Sequence, residues 1–223
     1  NVWRLARRRL LRRTKDEGDG EEYYVVFVSN ERRVCPMQHQ LAGEEDGGPV
    51  FWDYHVVLLR VVVRSSSGGN VGLRYAEILD VDTRLSYPCL LEDYLNETFR
   101  FLDLIRDDMR NTYSPRFRVL KAKLFLSHFY SDRSHMRDEK GVWLSQPPTY
   151  DCILDGLDRD NGDGKEERKG RSNLEDYINM TVSEGGGKNK DKYNWRGEVL
   201  TLEEFRSRFS PCHLVTSPPP KNF

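Results

Sequence analysis

Hydrophobic and polar positions along this chain follow two periods, and the clearest segments are strands. Tyr23-Tyr24-Val25-Val26-Phe27-Val28 is a near-continuous aromatic and β-branched run, as a strand buried on both faces would be. Phe51 to Arg64 gives the strongest strand signal in the chain, Ser65-Ser66-Ser67-Gly68-Gly69-Asn70 supplies a turn, and Val71 to Val81 resumes in β-like composition, so the two runs predict a hairpin. Leu91, Tyr94, Leu95, Phe99, Leu102 and Ile105 recur at helical spacing and predict one amphipathic helix over 90–108. Phe117 and Val119 alternate with arginines in a short strand, followed by a helix from about Lys121 to Phe129. Thr201-Leu202-Glu203-Glu204 reads as a capping box that opens a last helix through Phe209, and Ser172-Asn173-Leu174-Glu175 reads as a second one before Tyr177 and Ile178.

The first thirteen residues carry six arginines and no acid, a composition that can pass for a mitochondrial transit peptide. Val2, Leu5, Ala6 and Leu10 nevertheless fall at helical spacing, so an amphipathic first helix of the domain is the preferred reading. The chain opens on Asn1 rather than Met, as a fragment, a processed chain or an incomplete gene model would. Residues 155–171 and 183–192 are charged and Gly-rich and read as flexible surface insertions within a single domain spanning 1–216; the tail 217–223, with three consecutive prolines, reads as unstructured. Asp158, Asp160 and Asp163 imitate a calcium loop. Counted from Asp158, however, Gly162 falls where a ligand is needed and Lys169 where the closing glutamate belongs.

Length and composition narrow the function classes. The 223 residues suffice for one domain with a real core, and a net charge of −1 gives no global field for nucleic acid. No stretch approaches the roughly 20 apolar residues that span a bilayer. Cys35, Cys89, Cys152 and Cys212 are scattered, which suits a reducing compartment and does not resemble a disulfide scaffold or paired zinc ligands, so no metal site is expected.

His55 lies within the apolar strand, and Asp80 follows Ile78 and Leu79 at the end of the next. A histidine in such a place is more often a hydrogen-bonded core residue than a catalyst. The midpoint between positions 55 and 80 falls within the Ser65–Asn70 turn, however, so hairpin pairing allows the two side chains to touch. An aspartate that accepts from one imidazole nitrogen fixes the tautomer and leaves the other nitrogen as a base. That is two-thirds of a triad, without a nucleophile.

Longer blocks carry a resemblance. Phe27-Val28-Ser29-Asn30-Glu31-Arg32, Gly48 through Leu59 with Trp52-Asp53-Tyr54-His55 at its centre, Leu79-Asp80-Val81-Asp82-Thr83 with Tyr87-Pro88-Cys89, and Ser131-Asp132-Arg133-Ser134-His135-Met136 resemble the protein N-terminal glutamine amidohydrolases in order. Pro147-Pro148, Thr201-Leu202 with Phe205, and Arg208-Phe209 extend the match over nearly the whole chain except the insertions and tail. The resemblance implies an α+β, papain- or transglutaminase-like cysteine hydrolase fold, with a central, mostly antiparallel sheet flanked by helices. It implies a Cys-His-Asp triad that hydrolyses the side-chain amide of an N-terminal glutamine without metal or organic cofactor, with His55 and Asp80 as the motif histidine and aspartate. Asn1-Val2-Trp3 matches the end of the family's Cys-Glu-Glu-Asn-x-Trp pattern, which puts the nucleophile three residues before Asn1. The four cysteines present read as buried or incidental thiols. The role of Ser131–Met136 is not given by the match, and a structural loop is the default.

Asp53 is a candidate acceptor for the substrate's α-ammonium group, because on a regular strand it would share a face with His55; an aspartate held by structural hydrogen bonds is the plain alternative. The expected partners are proteins and peptides with N-terminal glutamine, acted on by a cytosolic or nuclear monomer whose product feeds an N-degron pathway. Two other readings stand beside the amidohydrolase: a pseudo-enzyme that binds N-terminal glutamine without hydrolysing it, and a papain-like peptidase or transglutaminase with another substrate. Because residues 158–169 offer no apolar side chain to bury, deleting them is expected to leave the unfolding midpoint almost unchanged, loop length costing only about 0.6 kcal/mol per doubling. A large fall in thermal stability would show that the segment packs against the body of the protein.

Overall fold

The run after Gly20 becomes β1 (Gly20–Ser29), and its apolar character has a direct cause: it lies inside the sheet with both faces covered. The computed structural model describes residues 2–11, 20–44, 48–64, 73–144, 146–147, 149, 151–154, 172–181 and 194–210. The two insertions expected at 155–171 and 183–192, the Ser65–Asn70 turn and the 217–223 tail lie outside the described residues. On one side β1 pairs with β4 (His55–Arg64), which pairs with β5 (Leu73–Leu79) and then β6 (Cys89–Leu90). On the other side it pairs with β7 (Arg116–Lys121), followed by β8 (Glu198–Thr201). All five pairings are antiparallel, giving the order β6-β5-β4-β1-β7-β8. A separate two-stranded sheet joins β2 (Cys35–Met37) to β3 (Val50–Trp52).

Helices cover both faces of the large sheet. Val26, Val28, Val57, Leu59 and Ile78 point toward α2 (Leu91–Thr98) and α7 (Leu202–Phe209), where Phe117 stacks on Phe205 at 4.5 Å between ring centroids. Val25, Phe27, Leu58 and Leu79 point the other way, toward α1 (Val2–Leu11), α5 (Ala122–His128) and α6 (Leu174–Ile178). On that face Phe27 stacks on Tyr177 at 5.1 Å. Burying each such side chain contributes about 1.5–3 kcal/mol. The arginine-rich opening segment is a helix of the folded body: Val2 and Ala6 are buried, with Trp3, Leu5 and Leu10 packed against the same core. No helix among the described residues is long and apolar enough to cross a membrane.

Three local expectations change. The strand predicted over 51–64 is two strands, because Asp53 and Tyr54 form a bend at which the Ser29 hydroxyl donates to the Asp53 carbonyl at 2.5 Å. His55 is therefore the first residue of β4 and not a mid-strand residue. The helix predicted over 90–108 is α2, then α3 (Phe101–Leu104) and α4 (Asp107–Tyr113). The Thr98 carbonyl, which a continuous helix would use for Leu102 N–H, instead accepts Gln38 N–H at 2.8 Å, and Leu102 turns to the Phe99 carbonyl. The second capping box does not form. Asn173 occupies the N-cap without a side-chain cap, and its side chain spans Tyr130 N–H and the His128 carbonyl, while the Glu175 carboxylate pairs with Arg33. The box at Thr201 and Glu204 does form, with bonds of 3.1 and 2.7 Å.

The chain before β8 meets β7 at close range. Gly197 has φ +71°, and a Cβ there would lie 2.1 Å from the Val119 carbonyl oxygen. The buried Arg118 guanidinium reinforces this approach by donating to the carbonyls of Tyr177, Asn179 and Arg196. Gly197→Ala meets both a left-handed backbone and a clash with backbone, so urea unfolding is expected to show a loss of about 2 kcal/mol or more. An unchanged midpoint would show that the Val119–Gly197 approach is not obligatory.

Candidate active site

Backbone pairing fixes where the two titratable residues of the hairpin can meet. His55 is opposite Val28 of β1, and Leu58 is opposite Leu79 of β5. That register would set Asp80 opposite Val57, two residues from His55 on the same face, so the two side chains meet on the diagonal. His55 Nε2 lies 2.9 Å from Asp80 Oδ1. A carboxylate only accepts, so Nε2 carries the proton, and in the neutral ring Nδ1 is left with a free lone pair. Among the described residues Nδ1 has no hydrogen-bond partner. Trp52, at the end of β3, lies against the imidazole with 5.0 Å between ring centroids.

Asp80 is only 1% exposed and collects three donors. Its Oδ1 also accepts Asp82 N–H at 2.9 Å, and its Oδ2 accepts the Tyr94 hydroxyl at 2.8 Å from α2. Burial pushes the Asp80 carboxyl pKa up, but His55, Asp82 N–H and Tyr94 outweigh that and hold it below the ordinary carboxylate value. Burial, then the negative charge of Asp80, raises the Tyr94 hydroxyl well above the usual phenol value, so it remains a donor.

His55 borders a cavity of about 430 Å³, with Asp80 behind it. Val2 and Trp3 of α1 form one wall, Trp52, Tyr54, His55, Val81 and Asp82 the strand-end wall, and Phe125 and Phe129 of α5 the apolar floor. Ser131, Arg133 and Met136 close it, so the motif expected to be a structural loop is also a cavity wall. Ser131 and Ile153 exchange backbone hydrogen bonds at 2.7 and 3.1 Å, Arg133 adopts φ +62°, and Ser134–Met136 form a 3-10 turn. A groove of about 640 Å³ beside Asn30–Arg32 contains neither His55 nor Asp80.

The other candidates lie elsewhere. Asp53 is exposed in the bend, its Oδ1 accepts Tyr54 N–H at 2.8 Å, and it does not line the cavity. The shared face expected of Asp53 and His55 required a regular strand, which the bend removes. None of the three described cysteines lines the cavity either. Cys35 is buried, with its thiol pushed up to about 12 by burial, and Cys89 is buried and raised for the same reason. Cys152, half-buried, donates to the Asp132 carbonyl, and Cys212 lies outside the described residues. Tyr94 could not be singled out in sequence, because its position on an apolar helical stripe reads as core. Asp82 was visible only as the second acid of Asp80-Val81-Asp82-Thr83.

Tyr94→Phe removes the donor to a buried carboxylate oxygen and is expected to lower stability by about 1.5–3 kcal/mol at neutral pH. Asp80 has a depressed pKa, so its contribution is present above the unfolded carboxylate pKa of about 4 and fades as pH falls through the folded value. The difference between wild type and Tyr94→Phe should therefore narrow in acid. A difference that stays constant across unfolding curves from pH 7 to acid would show that the hydroxyl does not act on the ionised carboxylate.

Comparison with known proteins agrees with this arrangement of motifs. The sequence model of the family described as N-terminal glutamine amidase matches residues 1–209. The protein N-terminal glutamine amidohydrolase of Homo sapiens is 40% identical over 209 residues, covering 94% of this chain and 83% of that protein. Those of Bos taurus and Danio rerio are 39% and 33% identical, each over 94% of this chain and over 83% and 84% of their own lengths. The chain belongs to the N-terminal glutamine amidase family, a family of enzymes.

Proposed function

We propose that this protein hydrolyses the side-chain amide of an N-terminal glutamine to glutamate and ammonia through a Cys-His-Asp triad on a papain- or transglutaminase-like fold. The observation that carries the reading is the His55 Nε2–Asp80 Oδ1 contact of 2.9 Å, with His55 on a cavity that Val2 and Trp3 also line. A cysteine three residues ahead of Asn1, at the N-terminal end of the ten-residue α1, would be beside that lining. There the helix dipole and a protonated His55 favour the thiolate. Asp80 occupies Nε2, so Nδ1 is the nitrogen that exchanges protons with the nucleophile and leaving group.

The thiolate attacks the glutamine Cδ, and the tetrahedral intermediate collapses as His55 delivers a proton to the departing ammonia, leaving a thioester. His55 then takes a proton from water, the hydroxide adds to the thioester carbonyl, and C–S cleavage releases the glutamate side chain and the thiolate. His55 and Asp80 act as base and orienter, and Tyr94 is a positioning residue that acts through Asp80. No step draws on a metal or organic cofactor. The substrates are proteins and peptides that begin with glutamine, and their N-terminal glutamate products enter an N-degron pathway. The protein acts as a monomer in the cytosol or nucleus.

Ammonia release from a Gln-initiated peptide, with an internal-glutamine peptide as control, is the direct assay. A chain extended by Cys-Glu-Glu before Asn1, with a few residues ahead of it, is expected to be active on the first peptide only. Residues 1–223 alone should be slower by about 10⁶-fold. Robust turnover by residues 1–223 would mean that another residue is the nucleophile. A folded, inactive extended form that still binds the peptide would instead identify a binding protein.

A further inference from the structure

Recognition of an N-terminal residue requires something that an internal glutamine cannot satisfy, and at neutral pH that is an acceptor for the α-ammonium group. We infer that Asp82 is this acceptor, an inference that rests on the substrate class proposed above.

Asp82 lines the same cavity as His55. Its backbone is held on both sides: its N–H donates to Asp80 Oδ1 at 2.9 Å, and its carbonyl accepts Leu41 N–H at 2.6 Å. One residue thus links the buried Asp80 to a carboxylate at the cavity wall. Among the described residues no donor meets that carboxylate, and its Oδ2 is shut off from solvent. Oδ1 is not closed off in this way and is the oxygen that a cationic ligand in the cavity would meet, gaining a charge-assisted hydrogen bond. Arg133 also lines the cavity, but its guanidinium donates to the Asp151 carbonyl at 3.0 Å.

Trp3 and Trp52 also line the cavity, but their Nε1 atoms are closed off from solvent, so these residues offer a ligand there ring surface and not a donor. An N-terminal aminoacyl group offers the complement to the Asp82 carboxylate: a cation with three N–H donors. Asp82 takes the cation. A glutamine within a chain has no cation to offer, and its preceding peptide unit would meet the Asp82 carboxylate unpaired. Asp53, the other acid near the histidine, is exposed and already holds Tyr54 N–H.

The test compares binding of a Gln-initiated peptide, its N-acetylated form and an Ala-initiated peptide to residues 1–223, by calorimetry. Wild type is expected to bind the free-amine Gln peptide at least 10-fold more tightly than the acetylated one. Asp82→Asn, nearly isosteric, should weaken free-amine binding by about 10–100-fold while leaving acetylated-peptide binding unchanged, so the discrimination collapses. Asp82→Glu should restore part of it, and unfolding curves confirm that each variant is folded. Discrimination that persists in Asp82→Asn, or is lost in Asp53→Asn instead, overturns the inference and leaves the glutamine substrate standing. Equal, Asp82-dependent binding of Gln- and Ala-initiated peptides keeps the ammonium site and removes the glutamine reading. Wild-type binding that ignores acetylation overturns the inference.

Discussion

A carboxylate as deeply buried as Asp80 is unfavourable by several kcal/mol unless its lone pairs meet donors. The molecule supplies those donors from three separate places: an imidazole at the start of β4, a phenol on α2, and the backbone just after β5. Each arrives only if the element that carries it is docked. The hairpin register, the seating of α2 against the sheet and the turn after Leu79 are therefore coupled through one charge. Removing any of the three donors leaves part of that charge without its partner, which makes the site as sensitive to packing as to chemistry.

Through His55 and Asp82 the same carboxylate is tied to two residues of the cavity lining. Tyr94 approaches with the α2 and α7 layer, whereas Val2, Trp3 and Phe125 belong to the layer of α1, α5 and α6. His55 lies where the large sheet ends and β3 crosses over, so it touches Asp80 within one layer and borders the cavity built largely from the other. The bend at Asp53 and Tyr54 makes this possible: it ends one strand, starts the next, and leaves the imidazole at the rim of the sheet. Asp82 extends the arrangement, because the residue whose N–H steadies Asp80 also lines the cavity.

Much of this was legible from periodicity and composition. The β1 run, the β4–β5 hairpin, α1, α5 and the capping box at Thr201 each depend on residues close in sequence, and each forms. His55 and Asp80 also meet, though on the diagonal: the register sets Asp80 opposite Val57 and not opposite His55, as a shared midpoint would have it. The errors share a cause, which is a distant partner. Gln38 takes the Thr98 carbonyl and breaks a helix that periodicity alone would continue. Ser29 takes the Asp53 carbonyl at the bend that divides a strand and moves Asp53 away from the face assigned to it. Arg33 holds Glu175, and Asn173 serves Tyr130 and His128, where a capping box was expected.

Most of the strands and helices, the blocks that mark the family, and the pairing of one histidine with one aspartate can thus be read from the chain alone. Those properties are encoded by side-chain period, by turn length and by motif order, all of them local. Three-dimensional packing was needed to show that Tyr94 donates to Asp80, that residues of Ser131–Met136 line a cavity, and that Asp82 rather than Asp53 lines it. These depend on elements that meet across the fold, where a hydrogen bond is won by whichever group packing brings within about 3 Å.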